Sequence, residues 1–152
     1  MKHIDIKKVL NNGNDYLSGD LTVCGWVRTA RDSKAVAFVE LNDGTCLKNL
    51  QLIIDKDKID AEVLKDAMAV GTSIKAVGQL VVSERNGYEV QVKEMQVLGT
   101  CPSDFPLQKK RHTFEFLRDI AHLRVRANTF QAVFRERNAL SMAIHQYFQE
   151  NG

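Results

Sequence analysis

The side chains best suited to catalysis do not assemble into a catalytic set. His3, His112, His122 and His145 are scattered, with no His-x-x-x-His pair and no acids grouped for a metal. Cys24, Cys46 and Cys101 are odd in number, far apart and without Cys-x-x-Cys spacing, so they read as reduced thiols. The chain has no Gly-x-Ser-x-Gly elbow and no phosphate-cradling glycine loop. What remains is a set of groups suited to binding: the ring of Phe38, the amide of Gln51, and the guanidiniums of Arg28 and Arg31. A ring stacks on a nucleic-acid base, an amide both donates to and accepts from a base edge, and a guanidinium meets phosphates or base edges. The same residue types also suit a Phe38 that caps one end of a barrel and a Gln51 that is merely solvated.

Whether these groups share a face depends on the elements that carry them. Ile6, Val9 and Leu10 recur at helical spacing and end in the turn cluster Asn11-Asn12-Gly13-Asn14. The period then changes to two. Leu21, Val23 and Val27 alternate with Thr22, Cys24, Trp26 and Arg28, a strand in which Gly25 predicts a bulge or bend. A second strand runs from Val36 to Leu41 and stops at Asn42-Asp43-Gly44, and a third runs from Leu47 to Ile54. Ile59, Val63, Leu64 and Met68 fall near helical spacing within residues 56–69, with Gly71 as a C-cap. A fourth strand from Ser73 to Val82 turns through Glu84-Arg85-Asn86-Gly87 into a fifth from Tyr88 to Leu98. Three strands, a helix and a hairpin predict a mainly β fold, the five-stranded Greek-key barrel of the OB type.

Alternation also sorts the faces. Ala37, Val39 and Leu41 are the core side of the second strand, which puts Phe38 and Glu40 outside. Leu50, Leu52 and Ile54 face inward on the third strand, leaving Asn49, Gln51 and Ile53 outward. On the fifth, Tyr88, Val90 and Val92 are the inward set and Glu89, Gln91 and Lys93 the outward one.

Three segments follow from this pattern: a barrel domain over residues 1–99, a hinge and helical linker over 100–128, and an amphipathic helix over 129–152. Both prolines, Pro102 and Pro106, lie in the hinge. Asn128 or Thr129 is the expected N-cap of the last helix, along which Phe130, Val133, Phe134, Leu140, Ile144, Tyr147 and Phe148 form a broad apolar stripe. Such a stripe is too apolar to stand alone in water, so it is expected to pack on the barrel, another chain or further sequence. Charge is uneven as well. Residues 1–105 carry 13 Lys/Arg against 15 Asp/Glu, whereas 106–137 carry 8 against 3. A basic segment of that kind fits a phosphate-rich partner or a solvated helix face. No apolar run reaches membrane-spanning length and residues 1–8 lack the apolar core of a signal peptide, so the expected location is the cytoplasm.

Two stretches carry a family resemblance. Gly25-Trp26-Val27-Arg28-Thr29-Ala30-Arg31-Asp32-Ser33, Phe38-Val39-Glu40-Leu41-Asn42-Asp43-Gly44 and Leu47-Lys48-Asn49-Leu50-Gln51 resemble the anticodon-binding domain of asparaginyl-tRNA synthetases, class IIb aminoacyl-tRNA synthetases. Phe105-Pro106-Leu107-Gln108-Lys109-Lys110-Arg111-His112-Thr113, with Phe116-Leu117-Arg118 and Ala121-His122-Leu123-Arg124, is similar to the linker that joins that domain to the catalytic core. The resemblance implies that Phe38 stacks on the middle anticodon base, a uracil, and that Gln51 hydrogen-bonds it. It implies a contact from Glu89 to the third base, and places Arg28 and Arg31 near the first base and its phosphate. Val125 departs from the family's Arg-Pro-Arg, which implies a local change only. The resemblance further implies that this chain is an N-terminal fragment, without catalytic residues or cofactor of its own. The full-length enzyme would be an ATP- and Mg²⁺-dependent homodimer whose last helix here begins the first class II motif. A generic single-strand RNA-binding barrel, an aspartyl-type synthetase domain and a self-associating piece are the alternatives.

Overall fold

The computed structural model describes residues 2–152 except Arg85 and Lys109, so the middle of the Glu84–Gly87 turn and one lysine of the basic stretch lie outside the described residues. The described chain divides into two compact units, residues 1–109 and 110–152.

The first unit is a closed barrel in the order β1-β2-β3-β5-β4. Its strands are β1 (Asp20–Asp32), β2 (Val36–Asn42), β3 (Leu50–Asp55), β4 (Ser73–Ser83) and β5 (Gly87–Gly99). Neighbours are antiparallel except β3 and β5, which run parallel. That parallel pair requires a crossover, and the helix α2 (Ala61–Ala67) lies within it. A helix α1 (Ile6–Asn11) precedes the barrel and buries Ile6 and Val9 in the same core. Inward positions of β2, β3 and β5 are buried as expected, with Ala37, Val39, Leu41, Leu50, Leu52, Ile54 and Val90 fully buried, whereas at the start of β1 Thr22 is buried along with Leu21 and Val23. At roughly 25 cal/mol per Å² of apolar surface, this core is the main favourable contribution to folding the unit.

Four local expectations are corrected. Gly25 is not the bulge; the register shift in β1 falls between Val27 and Thr29, at Arg28. Gly25 is instead a point of close approach, where a Cβ would lie 2.8 Å from the Asn42 carbonyl oxygen. The third strand begins at Leu50 rather than Leu47 because side chains claim the preceding loop. Asn42 Nδ2 donates to the carbonyls of Cys46 (3.2 Å) and Lys48 (3.0 Å), and Thr45 N donates to Asp43 Oδ1 (2.9 Å). The helix expected within 56–69 is shorter, starting after Asp60, whose carboxylate accepts from the backbone N–H groups of Glu62 and Val63. It ends at a C-cap on Met68, with Gly71 three residues further on at φ +92°.

The second unit holds α3 (Phe114–Asp119) and α4 (Asn128–Asn151). Thr113 Oγ1 caps α3 by accepting from Phe116 N at 3.2 Å. Val125 sits in a single 3₁₀ turn over Arg124–Arg126, where no proline ends the preceding helix. The N-cap of α4 is Ala127, not Asn128 or Thr129, and it makes no side-chain capping bond. Arg124 holds this start differently: its guanidinium carbon lies 5.0 Å from the Phe130 ring centroid. No residue of α4 is buried, and Leu140, Tyr147 and Phe148 are each more than 60% exposed. No helix among the described residues is long and apolar enough to cross a membrane.

Candidate nucleic-acid interface

Barrel register brings four of the five expected residues onto one patch. Arg31 of β1 pairs with Phe38 of β2, which pairs with Ile53 of β3. The next row of the same face runs Thr29, Glu40, Gln51, Glu89 across β1, β2, β3 and β5. Phe38 and Gln51 are therefore diagonal neighbours on adjacent strands, with a typical separation of about 7–8 Å. Arg28, the fifth residue, sits at the bulge of β1 and is part-exposed.

Phe38 is half-buried, with the Arg31 guanidinium carbon 5.0 Å from its ring centroid. The cation holds the ring by its quadrupole and places positive charge beside a stacking surface. Gln51 Nε2 donates to Glu89 Oε1 at 3.1 Å, and Gln51 Oε1 accepts from Asn86 Nδ2 at 3.2 Å. Asn86 Nδ2 also donates to Glu89 Oε1. Beside them, Asn49 Nδ2 donates to Glu40 Oε2 at 2.9 Å and Asn49 Oδ1 accepts from Asn42 Nδ2 at 3.1 Å.

Glu89 lies on the outer face, yet it is only 9% exposed. Strand alternation predicts its face but not its burial, which comes from the Gln51 and Asn86 side chains hydrogen-bonded to it. Sequence reasoning places Glu40 and Asn49 on the outer face without giving them partners, and it does not bring Asn86 to the patch. Asn86 reads in the sequence as a turn residue, although its place three residues before Glu89 across a tight hairpin is the signal that its side chain can reach back.

Elsewhere on β1, burial pushes the Cys24 thiol up from its ordinary range, partly offset by the nearby Lys75 ammonium. Among the described residues no group of three or more His, Cys, Asp or Glu side chains converges to hold a metal ion. The arrangement offers a stacking ring, an amide that donates and accepts, and a guanidinium able to attract phosphate.

The chain is similar to known proteins along its whole length. Asparagine–tRNA ligases from Acetivibrio thermocellus and Clostridium tetani are 46% and 47% identical to this chain over 100% and 99% of its length. In each case the chain spans 33% of the relative. Among solved structures, asparaginyl-tRNA synthetase from Pyrococcus horikoshii bound to asparaginyl-adenylate matches 100% of this chain and 35% of its own, with TM-score 0.84 and 23% identity. The Entamoeba histolytica asparaginyl-tRNA synthetase covers 88% of this chain and 33% of its own at TM-score 0.74 and 24% identity. These last two likenesses speak for the fold. The tRNA anti-codon family model, described as an OB-fold nucleic acid binding domain, matches residues 21–98, the whole span from β1 to β5 that carries the patch. This chain therefore belongs to the OB-fold nucleic acid binding domain family.

Proposed function

We propose that this chain is the anticodon-reading portion of an asparagine–tRNA ligase, with Phe38 stacking on the middle uracil of the anticodon and Gln51 hydrogen-bonding its edge. The single observation that carries this reading is the diagonal placement of a cation-backed ring and an ordered amide on one outer face. Arg31 in the patch and Arg28 at the bulge of the same strand supply charge toward the first base and its phosphate. Asparagine identity, rather than aspartate, is supported by the names and 46–47% identity of the relatives above. The ATP- and Mg²⁺-dependent activation of asparagine belongs, in this reading, to regions of the relatives outside the matched third. The parent acts in the cytoplasm, and the exposed apolar side of α4 supports a homodimer.

The test is titration with a GUU anticodon stem-loop beside one whose middle uracil is changed to cytosine. Tighter binding to the uracil loop is expected; equal binding overturns the assigned reading. A generic single-strand binder is the second reading, and charge disfavours it. Such proteins track the backbone with a positive groove, whereas residues 1–105 hold 13 basic against 15 acidic residues.

A further inference from the structure

A glutamine amide cannot by itself tell uracil from cytosine. Uracil presents a donor, N3–H, between two carbonyl acceptors; cytosine presents an acceptor at N3 beside an amino donor. A flip of the amide exchanges its own donor and acceptor, so a freely rotating glutamine satisfies either base. Specificity therefore requires something that forbids the flip.

We infer that Glu89 and Asn86 are positioning residues that lock the Gln51 amide in one orientation before RNA arrives, and thereby make it a uracil reader. This rests on the reading proposed above. In the observed orientation Nε2 donates to Glu89 Oε1 at 3.1 Å and Oε1 accepts from Asn86 Nδ2 at 3.2 Å. After a flip, the Gln51 oxygen faces a carboxylate oxygen, and the Gln51 nitrogen faces the Asn86 amide donor. A carboxylate only accepts and an amide nitrogen only donates, so both contacts become repulsive together. Asn86 also donates to the same Glu89 oxygen, which closes the three side chains into a ring of bonds and ties the β4–β5 turn to β3. Each amide group has a second N–H and a second lone pair, and these remain to meet the base in a set order. At 9% exposure Glu89 is held under the Gln51 and Asn86 side chains that it bonds, which fixes the carboxylate as it directs Gln51. Preorganisation of this kind lowers the ordering cost of binding as well as setting its direction.

The experiment compares wild type, Glu89→Gln and Asn86→Ala against the GUU stem-loop and its middle-cytosine counterpart. Gln at position 89 keeps the shape but supplies both a donor and an acceptor, so either state of Gln51 is satisfied. The uracil-to-cytosine preference is expected to fall by about fivefold or more, the equivalent of one neutral hydrogen bond. Much of that fall comes as a gain on the cytosine loop. Simple damage to the fold would instead weaken both loops together. Asn86→Ala, at an exposed turn position, gives the same direction if Glu89→Gln fails to fold. An unchanged preference in folded variants overturns the inference while leaving the uracil reading intact. If wild type shows no preference, the uracil reading falls and the lock is decided in the free chain by NMR. Slower solvent exchange of one Gln51 side-chain amide proton in wild type than in Glu89→Gln supports it, and equal exchange overturns it.

Discussion

Phe38 earns its place in the patch through what flanks it on either side. Its backbone neighbours Ala37 and Val39 are fully buried, so the strand is anchored while the ring stays at the surface over the Arg31 guanidinium. Removal of the ring should therefore separate binding from stability. Phe38→Ala is expected to weaken binding of the GUU stem-loop by about 1–3 kcal/mol. Because the ring is outside the core, the stability change is expected to stay within about 1 kcal/mol, read by urea unfolding. A stability loss as large as the binding loss would assign the ring to the barrel rather than to the base. Cys24 shows the opposite use of a residue on a barrel strand: burial pushes its thiol up, against the pull of Lys75, and it takes no part in the patch.

At the scale of elements, the site depends on how β1 and β2 approach. Gly25 lies where a methyl group would press on the Asn42 carbonyl, and Asn42 in turn organises the loop into β3 that leads to Gln51. Gly25→Ala is expected to destabilise the barrel by about 1–3 kcal/mol, the usual cost of overpacking, measured from the denaturation midpoint. A neutral effect would mean that β1 and β2 can part at this point without loss. The bulge at Arg28 increases local twist and re-aims that side chain relative to Arg31, a common use of bulges beside binding sites. In α4 the element is well formed over 24 residues while its apolar side chains remain exposed.

For the whole molecule, electrostatics sets the strength of RNA binding and the patch sets its direction. The near balance of charge in residues 1–105 leaves little general attraction for a polyanion, so affinity is expected to be modest and salt-dependent. Each phosphate contact in single-stranded RNA contributes about 0.7 to the slope of log affinity against log salt concentration. Arg31→Gln is expected to reduce that slope by about 0.7, measured by titration at several salt concentrations. An unchanged slope would assign Arg31 wholly to holding Phe38, since the guanidinium already lies against that ring.

The barrel itself was legible in the residues because the period-two pattern of β2 and β3 is strict: Ala37, Val39 and Leu41, then Leu50, Leu52 and Ile54, are all buried. The outward placement of Phe38 and Gln51 follows from the same alternation, since neighbouring side chains on a strand must take opposite faces. Boundaries were less legible. The loop before β3 and the start of α2 are decided by Asn42, Asp43 and Asp60 bonding to backbone groups, a choice that hydrophobic spacing does not record. Only the tertiary structure decided that Arg31 stacks on Phe38 and that Asn86, 35 residues from Gln51 in sequence, bonds to its amide. Those pairings are products of register between distant strands. A linear pattern specifies which face a side chain takes, whereas register specifies which side chain stands beside it.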